Sequence, residues 1–579
     1  MKLLNFFLKI SFVISFSIFS FIIMILIFHN LFVSTSVIIP YSFTPFDICK
    51  KNIYLWNLLK IIYMIFYFLA NIILFNLFFS YIFKNHLFKE KINNNSISYL
   101  SSFFNLYIGN NEKTLEKIFI PENGLYQNML ITGTIGTGKT SSAMYPFVRQ
   151  LIEFKNQNFS QKFGMLILDV KGNFYKQVKK YAVEFNREND LIIIELGKNI
   201  SYNPLHKPNL KPTVLANRLR TILTLISPNN TESFWLDKVE QILTECIKLC
   251  RLYNNGYVTF LEIHKLINIP NYYKEQVENL RNLFLKNNFN SSQIYDLLSS
   301  LDFFEKEFNS LDSRTLSILK SEISRITLNF LSDYEILNTF CPKKENLNFL
   351  GFNELLENGK IVVLNMNIAE YKNLSKIIAT YLKLDFQSDV LANISKHKYS
   401  RTTAFICDEY HEYVTLTDAD FFAQSREAKC INIVATQSYT SLLNTLKEQS
   451  SVKAITQNLV NKLWFRTDDI YTIEEAQKQL GKEEKQKISQ TISENANETN
   501  FDYLTNTLKS KNSNISESFN TYTQLDFSYD TKDFTQKLKT FSCISFLSTG
   551  TYILPPAKLN MVPYFQDTKK KKINFNSII

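Results

Sequence analysis

One stretch, Asn128 to Thr140 (NMLITGTIGTGKT), narrows the folds open to this chain more than any other. An apolar run, Met129-Leu130-Ile131, enters the loop Gly133-Thr134-Ile135-Gly136-Thr137-Gly138-Lys139-Thr140, and a helix-compatible segment from Ser141 to Leu151 follows. This is a G-x-x-x-x-G-K-[ST] phosphate loop between a strand and a helix. The spacing has a chemical reason. Backbone N–H groups close around phosphate oxygens only where no Cβ intervenes, which calls for glycine. The helix N-terminus adds unpaired donors and the positive end of its dipole. Lys139 then reaches the β- and γ-phosphates, and the Thr140 hydroxyl ligates Mg²⁺. Glycine is scarce, 13 in 579 residues, yet three fall between positions 133 and 138. The expectation is a nucleotide site built from residues 133–141, including Ser141, with ATP and Mg²⁺ as cofactors.

The length exceeds one ordinary core and predicts two or three domains. The net charge of +11 favours anionic partners, but Phe, Ile, Asn and Lys are abundant along the whole chain, so charge alone assigns none. Seven cysteines, at 49, 246, 250, 341, 407, 430 and 543, are scattered without a C-x-x-C pair. Cys246 and Cys250, four apart, read as helix core rather than a metal site, and the main body as reduced and cytosolic. The basic run Lys569–Lys572 reads as a solvated tail.

Residues 10–28 and 61–83 carry no charge. Each is long enough, at about 1.5 Å per residue, for the roughly 30 Å bilayer core. They predict a membrane anchor over 1–95 with two transmembrane helices. Lys2 and Lys9 before the first run, and Lys84, Lys89 and Lys91 after the second, bias both termini toward the cytosol. Lys50, Lys51 and Lys60 between the runs count against this, and the need of an ATP-binding body to face the nucleotide decides for the cytosol. The expected location is therefore the cell membrane, multi-pass, with the main body in the cytoplasm.

From about residue 100 strands alternate with helices, which predicts an α/β fold with a mostly parallel, doubly wound sheet. Its first part spans 96–206 and its second part, with the C-terminal tail, 346–579. Between them, 207–345 shows i, i+3, i+4 apolar spacing with few strand-like runs, and predicts an all-helical insertion. Residues 486–522, rich in Ser, Thr and Asn, read as a mobile excursion.

Ala404-Phe-Ile-Cys-Asp408-Glu409 is an apolar strand that delivers two carboxylates at its end. A Mg-nucleotide site needs one carboxylate for the metal and one for water. Asp408 is assigned to Mg²⁺ and Glu409 to water activation. Asp169, ending another strand before Val-Lys-Gly, is the rival acid and reads as a turn near the phosphates. Gln437 closes the next strand, where its amide reaches the γ-phosphate or the attacking water. Arg426, just before that strand, is the candidate for stabilising charge on a neighbouring subunit's phosphoryl group, with Arg466 as competitor.

The order of these features resembles the type IV secretion coupling proteins, TraG/TraD-like conjugative ATPases related to FtsK and HerA motors. The matching pieces are the two apolar runs, GTIGTGKT, LDVKGN (168–173), YNPL (202–205), FW (234–235), GKIVVLNM (359–366), FICDEYHEY (405–413), SREAKCINIVATQS (425–438) and EEAQKQLGKE (474–483). The resemblance spans nearly the whole chain. Asn173 departs from it where an acidic residue is frequent, and Cys430 where glycine is common. What it implies is a P-loop NTPase of the RecA/FtsK kind, a membrane-anchored homo-hexamer with ATP between subunits. It also implies a helical insertion that meets substrate, and transfer of single-stranded DNA with its relaxase into a type IV secretion channel. An FtsK-like double-stranded DNA pump would carry a C-terminal winged-helix module, and none is evident after residue 550. A receptor that docks protein effectors with little turnover is the non-motor alternative.

Overall fold

The structure is a computed structural model that describes residues 104–226, 233–284, 290–396, 401–495, 500–509 and 514–566. Seven scattered residues between Tyr54 and Ile65 are also described, all of them helical and exposed. Residues 103–579 form one compact unit and 1–102 another.

The location in the membrane is corrected. Among the described residues no helix is long and apolar enough to cross a bilayer. The longest, Ile368–Lys396, is broken at Lys372 (φ 45°) and carries charges along its length. The runs 10–28 and 61–83 fall outside the described residues, apart from Ile61, Ile62, Met64 and Ile65.

Fifteen strands are described: β1 Asn105–Asn111, β2 Lys117–Pro121, β3 Met129–Thr132, β4 Gly164–Leu168, β5 Leu191–Ile194, β6 Ile361–Leu364, β7 Thr403–Cys407, β8 Cys430–Thr436, β9 Asn461–Phe465, β10 Lys482–Asn495, β11 Asn500–Asp502, β12 Thr507–Lys509, β13 Asn514–Phe527, β14 Ser542–Phe546 and β15 Ala557–Asn560. Eleven join one sheet in the order β2-β1-β15-β14-β9-β3-β8-β7-β4-β6-β5. The run from β9 to β5 is parallel throughout, and β14, β15, β1 and β2 extend it antiparallel at one edge. The expected mostly parallel α/β sheet is observed.

Successive strand residues point to opposite faces, and both faces here are covered. Leu130, Leu166, Val362 and Phe405 enter one core, while Ile131, Ile167, Val363 and Ile406 enter the other. This is why the central strands read as continuous apolar runs rather than alternating ones.

Between β5 and β6 the described chain is helical. Pro212–Ile226, Ser233–Tyr253, Phe260–Asn268, Tyr272–Phe284, Ser291–Asp302 and Ser313–Thr327 follow one another. Their apolar stripes join the first of the two cores, with Phe260 stacked on Phe330 at 3.9 Å and Cys246 and Cys250 fully buried.

The stretch expected to be a mobile excursion contains a ribbon. β10 pairs with β13 over 14 residues, from Lys482↔Phe527 to Asn495↔Asn514, a length of about 45 Å. Directly opposed residues share a face, so Ile488, Ile492, Phe519 and Leu525 lie on one side and Lys485, Lys487, Ser489 and Asn520 on the other. All four apolar residues are exposed. The abundance of Ser, Thr and Asn hid this period of two.

Candidate nucleotide site

The parallel strands end at one edge of the sheet, where open α/β sheets place their ligands. There β3 runs into Gly133, β4 into Asp169, β7 into Asp408, β8 into Gln437 and β9 into Arg466. Because β8 lies between β3 and β7, the loop of one crossover and the acids of another meet across a single strand.

The loop has its glycines where backbone and packing require them. Gly138 has φ +97°, and a Cβ there would meet the Phe541 ring at 2.4 Å. Gly136, at φ +79°, has nothing within 4 Å of its Cβ position and faces open space. Ile135 beside it is exposed, whereas Thr137 is buried and its hydroxyl donates to the Thr134 carbonyl at 2.8 Å. The flanks are pinned: the Gly133 N–H donates to the Gln437 carbonyl at 3.1 Å and the Thr134 N–H to that of Arg466 at 2.9 Å. After the loop the chain winds through one π-turn, Thr140–Met144, into the helix Tyr145–Glu153.

Lys139 is buried, and its ammonium donates to the carbonyls of Gly133 and, at 3.2 Å, Thr134. Burial pushes its pKa below the usual lysine range, against the pull of the Glu409 and Asp408 carboxylates. The Thr140 hydroxyl donates to Asp408 Oδ2 at 2.7 Å, joining residues 268 apart in sequence. A hydroxyl facing a carboxylate beside an open glycine loop is the donor set a hard cation such as Mg²⁺ takes, so the residues present fit the group.

Asp408 is buried, and burial above all pushes its carboxyl up to about 6, with Asp169 and Glu409 adding repulsion. The raised value means that the folded state resists ionisation. Its stabilising effect is complete below the unfolded pKa, near 4, and is lost as pH rises through about 6. Asp408→Asn should therefore stabilise the metal-free protein at pH 7.5 by about 3 kcal/mol and change little at pH 4, read by urea denaturation. Equal midpoints at pH 7.5 would show that the ionised carboxylate carries no such penalty.

Glu409 follows in the left-handed region (φ 51°), unusual for a residue with a long side chain and a mark of local strain. Its N–H donates to Asp408 Oδ1 at 3.0 Å. Its side chain is buried, with Oε1 3.2 Å from Lys171 Nζ and Oε2 without a hydrogen-bond partner. Asp169 turns the other way. It accepts from the N–H groups of Lys171, Asn173 and Phe174, so it structures the turn that leads into the helix Phe174–Glu184.

Gln437 joins the site through its backbone, as above. The two arginines part company. Arg466 follows β9 directly and is exposed beside the loop, whereas Arg426 precedes β8 and is exposed at the far end of that strand. Seven strand residues, about 23 Å, separate Arg426 from the edge that holds Lys139 in the same chain.

Sequence reasoning missed several groups. In the sequence Lys171 shows only as part of the turn in LDVKGN. Phe541, whose N–H donates to the Thr137 carbonyl at 3.0 Å, comes from the far C-terminal part of the chain and had no local signal. Lys383 and Asp418, both fully buried, pair behind the acids, and Asp418 also accepts from Tyr410, Thr415 and Gln387. Neither His411, 3.2 Å from the Thr436 hydroxyl, nor its 3.9 Å approach to Glu409 Oε2 was anticipated.

Fold and site define the class: an α/β protein with a phosphate loop joined to a strand-end acid pair. Residues 319–518 match the family model of the type IV secretion-system coupling protein DNA-binding domain. Among solved structures, the unbound bacterial conjugative coupling protein TrwB lacking its first 70 residues shares the fold. The TM-score is 0.50 at 13% identity, over 80% of this chain and 95% of that one. The plasmid coupling protein TrwB in complex with ADP and Mg²⁺ aligns likewise, with a TM-score of 0.50 at 14% identity over 80% and 95%. No curated protein matches the chain. The family match agrees with the resemblance that the sequence motifs carry, and the solved structures share the fold.

Proposed function

We propose that this chain is a Mg²⁺-dependent ATPase that couples nucleotide hydrolysis to transfer of single-stranded DNA, with bound relaxase, into a type IV secretion channel. The observation that carries the reading is the Thr140–Asp408 hydrogen bond, which brings the metal ligands of two distant motifs together beside Lys139. Lys139 stabilises the β- and γ-phosphates over the loop Gly133–Ser141. Thr140 and Asp408 hold the metal, which when bound neutralises charge on the phosphate oxygens. Glu409 accepts the proton of the attacking water, and Gln437 senses the terminal phosphate. Nucleotide binding in a TrwB structure and the DNA-binding description of the matched family support the substrate classes.

Arg426, remote from its own loop, suits a role on the nucleotide of an adjacent subunit in a homo-hexamer. We take 96–206 and 346–579 as the nucleotide-binding domain and 207–345 as the substrate-facing helical domain.

The test is ATP turnover by the full chain with single-stranded DNA, duplex DNA or neither. Stimulation by single strands that weakens steeply as salt rises is expected, because the contacts are to backbone phosphates. Stimulation by duplex alone would favour a double-strand pump. Turnover indifferent to any DNA, with a protein effector captured in its absence, would favour the receptor.

A further inference from the structure

Lys171 lies outside both motifs that build the nucleotide site, yet its ammonium reaches the acid at the centre of it. The strand-end turn that carries it is rigid. The Lys171 N–H donates to Asp169 Oδ1 at 3.1 Å, the N–H groups of Asn173 and Phe174 donate to Asp169 Oδ2, and the Ile368 N–H donates to the Val170 carbonyl at 3.0 Å. Gly172 makes the bend at φ +65°, where a Cβ would press on Asn367 at 3.3 Å.

From this fixed stem the ammonium pairs with one oxygen of Glu409, Oε1, at 3.2 Å. The other oxygen, Oε2, is buried and has no hydrogen-bond partner. The His411 Nδ1 is 3.9 Å away, too far for a hydrogen bond. Leaving a buried carboxylate oxygen without a donor is costly, and such a group calls for an explanation in function. The two oxygens are thus chemically distinct: one is held, the other is open to a donor. Partial burial works against the Lys171 charge, but Asp408, Glu409 and Asp169 hold its pKa above the usual lysine range, so the pairing cation persists.

We propose that Lys171 is a positioning residue for hydrolysis: by holding Glu409 Oε1 it presents Oε2 to the attacking water. In the step it serves, the water oxygen bonds to the γ-phosphorus and the water proton passes to Glu409 Oε2. The bond from phosphorus to the β–γ bridging oxygen breaks, and its electron pair leaves with ADP. In this assignment Lys171 acts only through Glu409. A carboxylate freed to rotate still accepts the proton, but spends less time in line.

This inference rests on the hydrolase reading, and the experiment separates the two. Turnover is measured for the full chain, for Glu409→Gln, for Lys171→Met and for Lys171→Arg, each with a parallel titration of a fluorescent ATP analogue. Wild-type turnover that Glu409→Gln removes upholds the hydrolase reading; its absence overturns that reading whatever Lys171 does. Given that turnover, Lys171→Met should lower kcat about 10-fold with KM and analogue affinity unchanged, and Lys171→Arg should regain most of the loss. An unchanged or raised kcat, a loss confined to KM, or a failure of arginine to restore the rate would each overturn the assignment. Since the Lys171 side chain is 56% exposed, Lys171→Met should leave the melting temperature in place, which separates positioning from a folding defect.

Discussion

Lys139→Ala should lower ATP turnover at least about 100-fold, the scale seen when one preorganised charge-stabilising donor is removed from a transition state. Two arguments combine. Lys139 is the only cation in the loop segment 133–141, so no neighbour in it substitutes for the charge at the β- and γ-phosphates. Its ammonium is also already desolvated, held among the carbonyls of Gly133 and Thr134. An ammonium that has shed water binds phosphate oxygens more strongly than one at the surface. The same burial lowers its pKa, so removing the charge relieves a penalty rather than adding one. Turnover and fold stability should therefore separate: activity collapses while the thermal midpoint holds or rises. Glu409→Gln should give the complement, with turnover lost and nucleotide retained, because it removes the proposed proton acceptor and leaves the loop 133–141 intact. Isothermal titration with ATP and a phosphate-release assay on both variants check this. Normal turnover in Lys139→Ala would end the assignment of the loop.

Lys383→Ala should cost about 3–5 kcal/mol in urea denaturation, the range for removing one partner of a buried ion pair. Lys383 Nζ donates to Asp418 Oδ2 at 2.6 Å, to the Tyr413 carbonyl at 2.7 Å and to the Thr415 hydroxyl at 2.9 Å, and both charged side chains are fully buried. Without the ammonium, Asp418 keeps Thr415, Gln387 and Tyr410 as donors but loses its counter-charge. The double variant Lys383→Met with Asp418→Leu should recover most of the loss, since an apolar pair of similar volume avoids desolvation altogether. Tyr410, which donates to Asp418, directly follows Glu409, so the pair anchors the segment that holds Glu409 in its strained conformation. Lys383→Ala should therefore also lower kcat. A loss of stability with kcat preserved would show that the anchor does not reach the acids.

Much of this was legible in the chain itself, for local reasons. The phosphate loop is a contiguous constraint, since its glycines, lysine and threonine must follow one another to wrap one anion. The strand ending in Asp408 and Glu409 is legible because seven parallel strands buried on both faces demand uninterrupted apolar runs. The helices between β5 and β6 announce themselves through a 3.6-residue stripe that must face a core. Residues 10–28 and 61–83 carried an equally plain hydropathy signal, but the described part of the molecule gives no membrane-crossing helix to set beside it.

What the sequence could not supply are pairings between distant segments. Lys171 and Glu409 are 238 positions apart and meet only because β7 is inserted beside β4, a choice of strand order that no local period encodes. Phe541 closes on Gly138 because β14 and β15 fold back along the edge beyond β9. The edge strands β1 and β2, with mixed burial, lacked the apolar run that marked their central neighbours. Amino-acid order specified the elements and the chemistry at their ends. Which end stands beside which was decided by packing, because contact energy depends on three-dimensional neighbours that separation along the chain does not reveal.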